Sequence, residues 1–301
     1  MLFFGVGGAA FLFVVVVTTI LFFLWRCIAL LRRFTCGSTI DDVIEVAKEY
    51  NQKGIRVLIN YSPEAARTTE EGLVVCNVYN RLLDRMAAEH IAGGLSVKPS
   101  SLVGRARTEK ERQMFRVRIH NLATHANDRW VWIDEESAQD ATFFSGVLRS
   151  LVFGRKNFGL VIRAYRKDSF EKAKMYAEWH KKGASFRVRV CRGAYPRDAQ
   201  HPREVTEGEF RQIHRYLSGY RVSVVAATHT LVNDIRHHGN SPLPAIHMLH
   251  GRDEIKTILE PLVRENKLSD AAVYLIFGPL GGRIWYGLRR IREKPSLLWG
   301  A

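Results

Sequence analysis

Residues 158–195 read FGLVIRAYRKDSFEKAKMYAEWHKKGASFRVRVCRGAY and divide into three pieces. Two are short runs rich in β-branched and aromatic residues, "FGLVIRAY" (158–165) and "FRVRVCRGAY" (186–195). That composition favours the pleated, packed surface of a strand. Between them, "SFEKAKMYAEWHKKG" is amphipathic, as a helix with one buried face must be. Strand, helix and strand in this order argue a parallel sheet.

The same beat runs through the chain. "IRVLINY" (55–61), "GLSVK" (94–98), "WVWID" (130–134), "VSVVAATH" (222–229), "AIHML" (245–249) and "AVYLIFG" (272–278) complete a set of eight strands. Polar helical segments such as "EGEFRQIHRYLSGY" separate them. In "STIDDVIEVAKEYNQKG", Ser38 or Thr39 can cap a helix that Gly54 closes. Eight strands alternating with helices predict an α/β fold, a closed (β/α)₈ barrel. An open doubly wound sheet is the alternative, weakened because no G-x-G-x-x-G follows a strand.

The N-terminus is of another kind. Residues 2–25, "LFFGVGGAAFLFVVVVTTILFFLW", carry no charge and are long enough to cross a bilayer. Arg26, Arg32 and Arg33 follow, and positive charge marks the inner side of a membrane. A cleaved signal peptide would want positive charge before a shorter apolar run. The expected organisation is a transmembrane anchor over residues 1–33 and a barrel over 34–301.

With 45 Lys and Arg against 30 Asp and Glu, the 301-residue chain carries a formal charge of +15. Such a balance suits nucleic acid, an anionic membrane surface or a basic compartment such as the mitochondrial matrix. The absence of any block of five basic residues argues against a nucleic-acid tail. Cys27, Cys36, Cys76 and Cys191 are scattered, with no C-x-x-C, so free thiols are expected. His247 and His250 are spaced i, i+3, but no third ligand accompanies them and no metal is expected.

Barrels of this kind place their chemistry at the C-terminal ends of the strands. Those ends carry Lys98, Asp134, Arg163 with Tyr165, Arg192 with Tyr195, Thr228 with His229, and Tyr274. Beyond the last strand, "IWYGLRRIREKPSLLW" (284–299) sets Tyr286, Arg289 and Arg290 on one helix face. Two guanidinium forks beside an aromatic ring could clamp a small carboxylate. A solvated basic face is the plain alternative.

The ordered set "SVKPS" (96–100), "VWIDEES" (131–137), "VIRAY" (161–165), "RVRVCRGAY" (187–195), "ATH" (227–229), "MLHG" (248–251), "VYLIFG" (273–278) and "WYGLRRIREKP" (285–295) resembles the proline dehydrogenases. The resemblance covers about residues 38–299. It implies an FAD-dependent barrel that oxidises L-proline to 1-pyrroline-5-carboxylate and passes electrons to membrane quinone. It implies that Arg289 and Arg290 hold the proline carboxylate, steadied by Glu293. Tyr274 and Tyr286 would wall the site, with Tyr195 and Leu249 on the proline ring. Lys98 and Asp134 would form an ion pair on its floor, and Arg189 would contact the flavin. Thr228 and His229 match the flavin-binding "ATH", with Arg163, Arg192, Gly193 and Ala194 on the same cofactor side.

Departures from the family pattern gather on that side. Arg163 replaces the usual Gln, Arg192 replaces Lys, "ATHT" stands for "ATHN" or "ATHD", and "NYSPEA" stands where "LGE" is usual. The alternative reading is therefore a degenerate member, kept as an accessory subunit of a larger respiratory membrane complex. The resemblance and the anchor together place the protein in the mitochondrial inner membrane with the barrel in the matrix, or in a bacterial inner membrane with the barrel in the cytoplasm.

Overall fold

The structure is a computed structural model that describes residues 6–63, 66–104, 108–193, 199–229 and 245–293. Eight parallel strands close on themselves in sequence order. They are β1 (Arg56–Tyr61), β2 (Gly93–Val97), β3 (Val131–Ile133), β4 (Phe158–Arg163), β5 (Arg187–Cys191), β6 (Ser223–Ala227), β7 (Ala245–Leu249) and β8 (Ala271–Phe277). Each expected strand is present, and β8 pairs with β1 along six residues to seal the barrel. An open sheet is thereby excluded.

Helix α1 is Val6–Phe34, and α2 is Ile40–Gln52. Of the two candidate caps, Thr39 takes the role, in a capping box with Asp42. Then come α3 (Thr69–Ala88), the short α4 (Pro99–Leu102), α5 (Glu109–His125), α6 (Ala138–Gly154), α7 (Ser169–Lys181) and α8 (Arg203–Gly219). A π-helical turn at Ile255–Leu259 leads into α9 (Glu260–Arg264), and α10 (Leu280–Glu293) closes the described chain.

Strand alternation splits the core in two. Outward residues such as Ile59, Val97, Ile133, Ile162, Val190 and Leu275 join the helices in one large apolar layer. Inward residues form a smaller cluster, with Trp132 beside Leu58, Val225, Ala245 and Ala272. Polar residues sit above it. Trp132 fits because β4 offers Gly159 opposite: a Cβ there would lie 2.3 Å from the indole.

Helix α1 contains the one stretch among the described residues long and apolar enough to cross a membrane, Phe13–Phe34, with mean hydropathy 2.5. Its last turns dock on the barrel. Leu30 and Phe34 are buried with Ile276 and Tyr286. Arg33 Nε donates to the Gly251 carbonyl at 2.8 Å and its guanidinium pairs with Asp253 at 2.7 Å.

Gly159→Ala should destabilise the barrel by about 1–3 kcal/mol through overpacking against Trp132, read as a lower denaturation midpoint.

Candidate active site

The strand C-termini surround a cavity of about 700 Å³, within the usual range for ligand clefts. Among the described residues, eight cationic side chains line it against four carboxylates. Its floor is a buried network. The Arg189 guanidinium, from β5, pairs with Asp134 just past β3. Ser96 of β2 donates to Asp134 Oδ1 at 2.7 Å, and the Tyr274 hydroxyl of β8 donates to Oδ2 at 2.9 Å. The same guanidinium lies 5.2 Å from the Trp132 ring and 5.7 Å from that of Tyr274.

This floor corrects one expectation. The partner of Asp134 is Arg189, not Lys98. The Lys98 ammonium lies beside Ser62 Oγ at 3.5 Å. Burial pushes the Lys98 amine below its ordinary range, and nearby Arg289 pushes the same way. Desolvation disfavours the ammonium, and a second cation adds to that.

The roof comes from α10. Its register puts Tyr286, Arg289 and Arg290 on the cavity side, as their spacing implied. Tyr286 and Arg290 are buried and Arg289 half-buried, so a solvated basic face is excluded. Both guanidiniums lie over the Tyr286 ring, at 5.8 and 4.9 Å. Leu249 lines the cavity as well. Tyr195 and Ala194 lie outside the described residues, as does the side chain of Glu293.

On the third side, Arg163 ends β4 almost fully buried. Its guanidinium donates to the Tyr165 hydroxyl at 2.9 Å and lies 3.4 Å from Glu135, which also pairs with Lys172 at 2.6 Å. These contacts hold Arg163 in the wall. Arg192 forms a two-point pair with Glu207 of α8 and donates to the Thr228 hydroxyl at 2.6 Å. Gly193 has a packing reason to be glycine. Its φ is +140°, and a Cβ would fall 1.3 Å from the Tyr165 ring.

Ser96, Glu135 and His247 belong to the site without having been singled out as its members. Their signal was parity: Ser96 and His247 are inward positions of strands, and Glu135 follows Asp134. His247 stands edge-on to Trp132 at 5.1 Å. His250 lies just past β7, not on a helix, and its Nδ1 meets the Tyr50 hydroxyl at 2.9 Å. Burial pushes all three histidines here down: His229 to about 3, helped by Arg252, Arg290 and Arg192, His250 to about 4, and His247 well below its ordinary value.

A family model described as proline dehydrogenase matches residues 43–205. The fold is similar to solved structures of proline utilization A. That from Bdellovibrio bacteriovorus, inactivated by N-propargylglycine, superposes with a TM-score of 0.76 at 19% identity, covering 90% of this chain and 33% of that one. A Bradyrhizobium japonicum variant gives 0.74 at 19% identity, covering 87% and 30%. A bifunctional proline utilization A gives 0.73 at 19%, again covering 87% and 30%. The chain spans about a third of the length of the structures it matches. No match is found among curated proteins.

The neutral histidines set a pH dependence. Their folded values lie below the unfolded one, so below about pH 6.5 the unfolded chain binds more protons and stability falls as pH drops. His229→Gln should remove about 1–2 kcal/mol of the loss between about pH 7 and pH 5, measured by denaturant unfolding in detergent at both values.

Proposed function

The chain belongs to the proline dehydrogenase family, and from that premise we propose that it oxidises L-proline to 1-pyrroline-5-carboxylate with FAD and hands the electrons to membrane quinone. The observation that carries this reading is the convergence of the α10 clamp, Tyr274 and Lys98 on one cationic cavity. A proline is an anion at one end and an amine at the other, and the two ends need opposite treatment.

Arg289 and Arg290 bind the carboxylate, fixing the ring against Tyr274, Tyr286 and Leu249. Lys98, the most buried amine of the cavity, takes the proton that the substrate amine gives up. The surplus of positive charge disfavours an ammonium substrate by like-charge repulsion. Arg189, steadied by Asp134 and Ser96, keeps a fixed positive charge on the floor, where it offsets negative charge that develops as electrons leave the substrate. The chain's residues supply orientation, a proton acceptor and this field.

The cavity suits FAD. Its size is that of a cofactor cleft, its lining is anion-seeking, and Arg163 is drawn into the wall by Tyr165 and Glu135 rather than across the open space. Arg189, Thr228 and His229 would hold the cofactor, which supplies a two-electron acceptor, with Arg163 in the wall beside them. One observation favours the accessory-subunit reading. Arg192, assigned to the cofactor, is engaged by Glu207 and by the Thr228 hydroxyl. A colour test separates the two. An enzyme purifies yellow and is bleached by proline; a scaffold is colourless and takes up no FAD.

The apolar length of α1 and the arginines that follow it support an anchor in the membrane that holds the quinone, with the barrel on the positive-inside face: the matrix face of the mitochondrial inner membrane, or the cytoplasmic face of a bacterial one.

Three outcomes test this function. Alkaline carbonate should leave the protein in the membrane pellet. Arg290→Met should raise the Michaelis constant for proline by about 30-fold or more with flavin still bound, since a desolvated ionic contact with one partner removed costs about 2–5 kcal/mol. Arg163→Gln should keep turnover within about tenfold, because Arg163 is held by the wall and acts on the site only at a distance, an effect of about 1.4 kcal/mol or less.

A further inference from the structure

Helix α10 has two faces, and only the inner one is explained by the cavity. Among its described side chains five are exposed, and four of them are large and apolar: Leu280 (56%), Ile284 (38%), Trp285 (65%) and Leu288 (46%). The fifth is Arg292. On α7 the five exposed positions are Glu171, Lys174, Met175, Glu178 and Lys181, four of them charged. An outer barrel helix that faces water looks like α7. Scattered apolar side chains need no explanation, but a continuous row along one helix marks an interaction surface.

We propose that the outer face of α10 lies in the lipid interface, so that the helix holding the substrate clamp is also a membrane-contact element. Continuity with α1 identifies the occupant as a bilayer. Leu31 of α1 packs on Gly287, where a Cβ would come within 2.9 Å of it. Ile284 and Ile291 are three and four residues from Gly287, on the next line of the same helix surface. The exposed Ile28 lies three residues before Leu31 on the same face of α1, so the apolar surface of α1 meets the α10 row there. Charge agrees. Four arginines and one glutamate lie on α10, and exposed Arg32 and Arg292 sit at the edge of the apolar surface. Basic residues flanking a face of Trp, Leu and Ile are the pattern of an interfacial helix, and Trp favours the headgroup level. The arrangement fixes the barrel with the α10 edge of its cavity toward the membrane.

This rests on reading α1 as a membrane anchor, and the test separates the two. The full chain is reconstituted in vesicles of phosphatidylcholine and phosphatidylglycerol, and a nitroxide is placed at Leu288→Cys, Trp285→Cys, Ile20→Cys or Val117→Cys. Cys27→Ser and Cys191→Ser remove the two half-buried native thiols, and Cys36 and Cys76 are buried, with burial holding the Cys76 thiol at about 11 and that of Cys36 at about 12. Accessibility to oxygen, which partitions into lipid, is compared with accessibility to a water-soluble nickel chelate. The α10 labels should resemble Ile20, with an oxygen-to-nickel ratio severalfold above that of Val117 on α5. A ratio like Val117 at both α10 positions, with Ile20 in lipid, overturns the proposal and leaves the anchor standing. Shielding of the α10 labels from both reagents means that a protein surface covers the face, which also overturns it. An Ile20 label in water removes the anchor itself, and this proposal with it.

Discussion

A carboxylate in the middle of a closed barrel must have partners on every side, and the arrangement around Asp134 follows from that requirement. Its two oxygens receive Arg189, Ser96 and Tyr274, so four strands are tied to one charge. Removing one member of such a cluster strands a buried charge, a costlier event than never having placed it there. The cluster also fixes Arg189 between two aromatic rings. The floor of the cavity is thus set by the need to keep a buried ion satisfied, and everything bound above it meets a fixed positive charge.

The other wall arginines obey the same rule. Arg163 is satisfied by Tyr165 and Glu135, and Arg192 by Glu207 and Thr228. Each pairing turns a long cation into part of the wall and keeps the central volume open. Lys98 differs in kind. Its contact at Ser62 is a neutral hydroxyl, and desolvation prevails over its distant carboxylates. The cavity thus pairs three of its arginines with carboxylates, keeps a surplus of cations and weakens the charge on its lysine.

The apolar helix α1 is part of this arrangement rather than an appendage to it. Leu30 and Phe34 share a buried cluster with Tyr286, whose ring underlies both clamp arginines. The end of the apolar helix thereby supports the substrate side of the cavity, and Arg33 pins the loop after β7 through Gly251 and Asp253.

The linear chain determined the strands, because short apolar, β-branched runs and the helical stretches between them are local properties. It also determined one side-chain face of the last helix. Tyr286, Arg289 and Arg290 lie within two turns of one helix, so their common face follows from the pitch alone. Cys27, Cys36, Cys76 and Cys191 could be read as free thiols from spacing, whereas the choice of Thr39 over Ser38 as the cap of α2 came from the structure. Pairing across the barrel was decided only by the tertiary structure. The family resemblance implied a Lys98–Asp134 pair, yet Arg189, 55 residues from Asp134 in sequence, takes the carboxylate. Glu135 holds Arg163 from the next strand, and the outer row of α10 acquires meaning only beside α1. Closure and tilt of the barrel bring inward residues of non-adjacent strands together on its axis, and no local spacing encodes which of them meet.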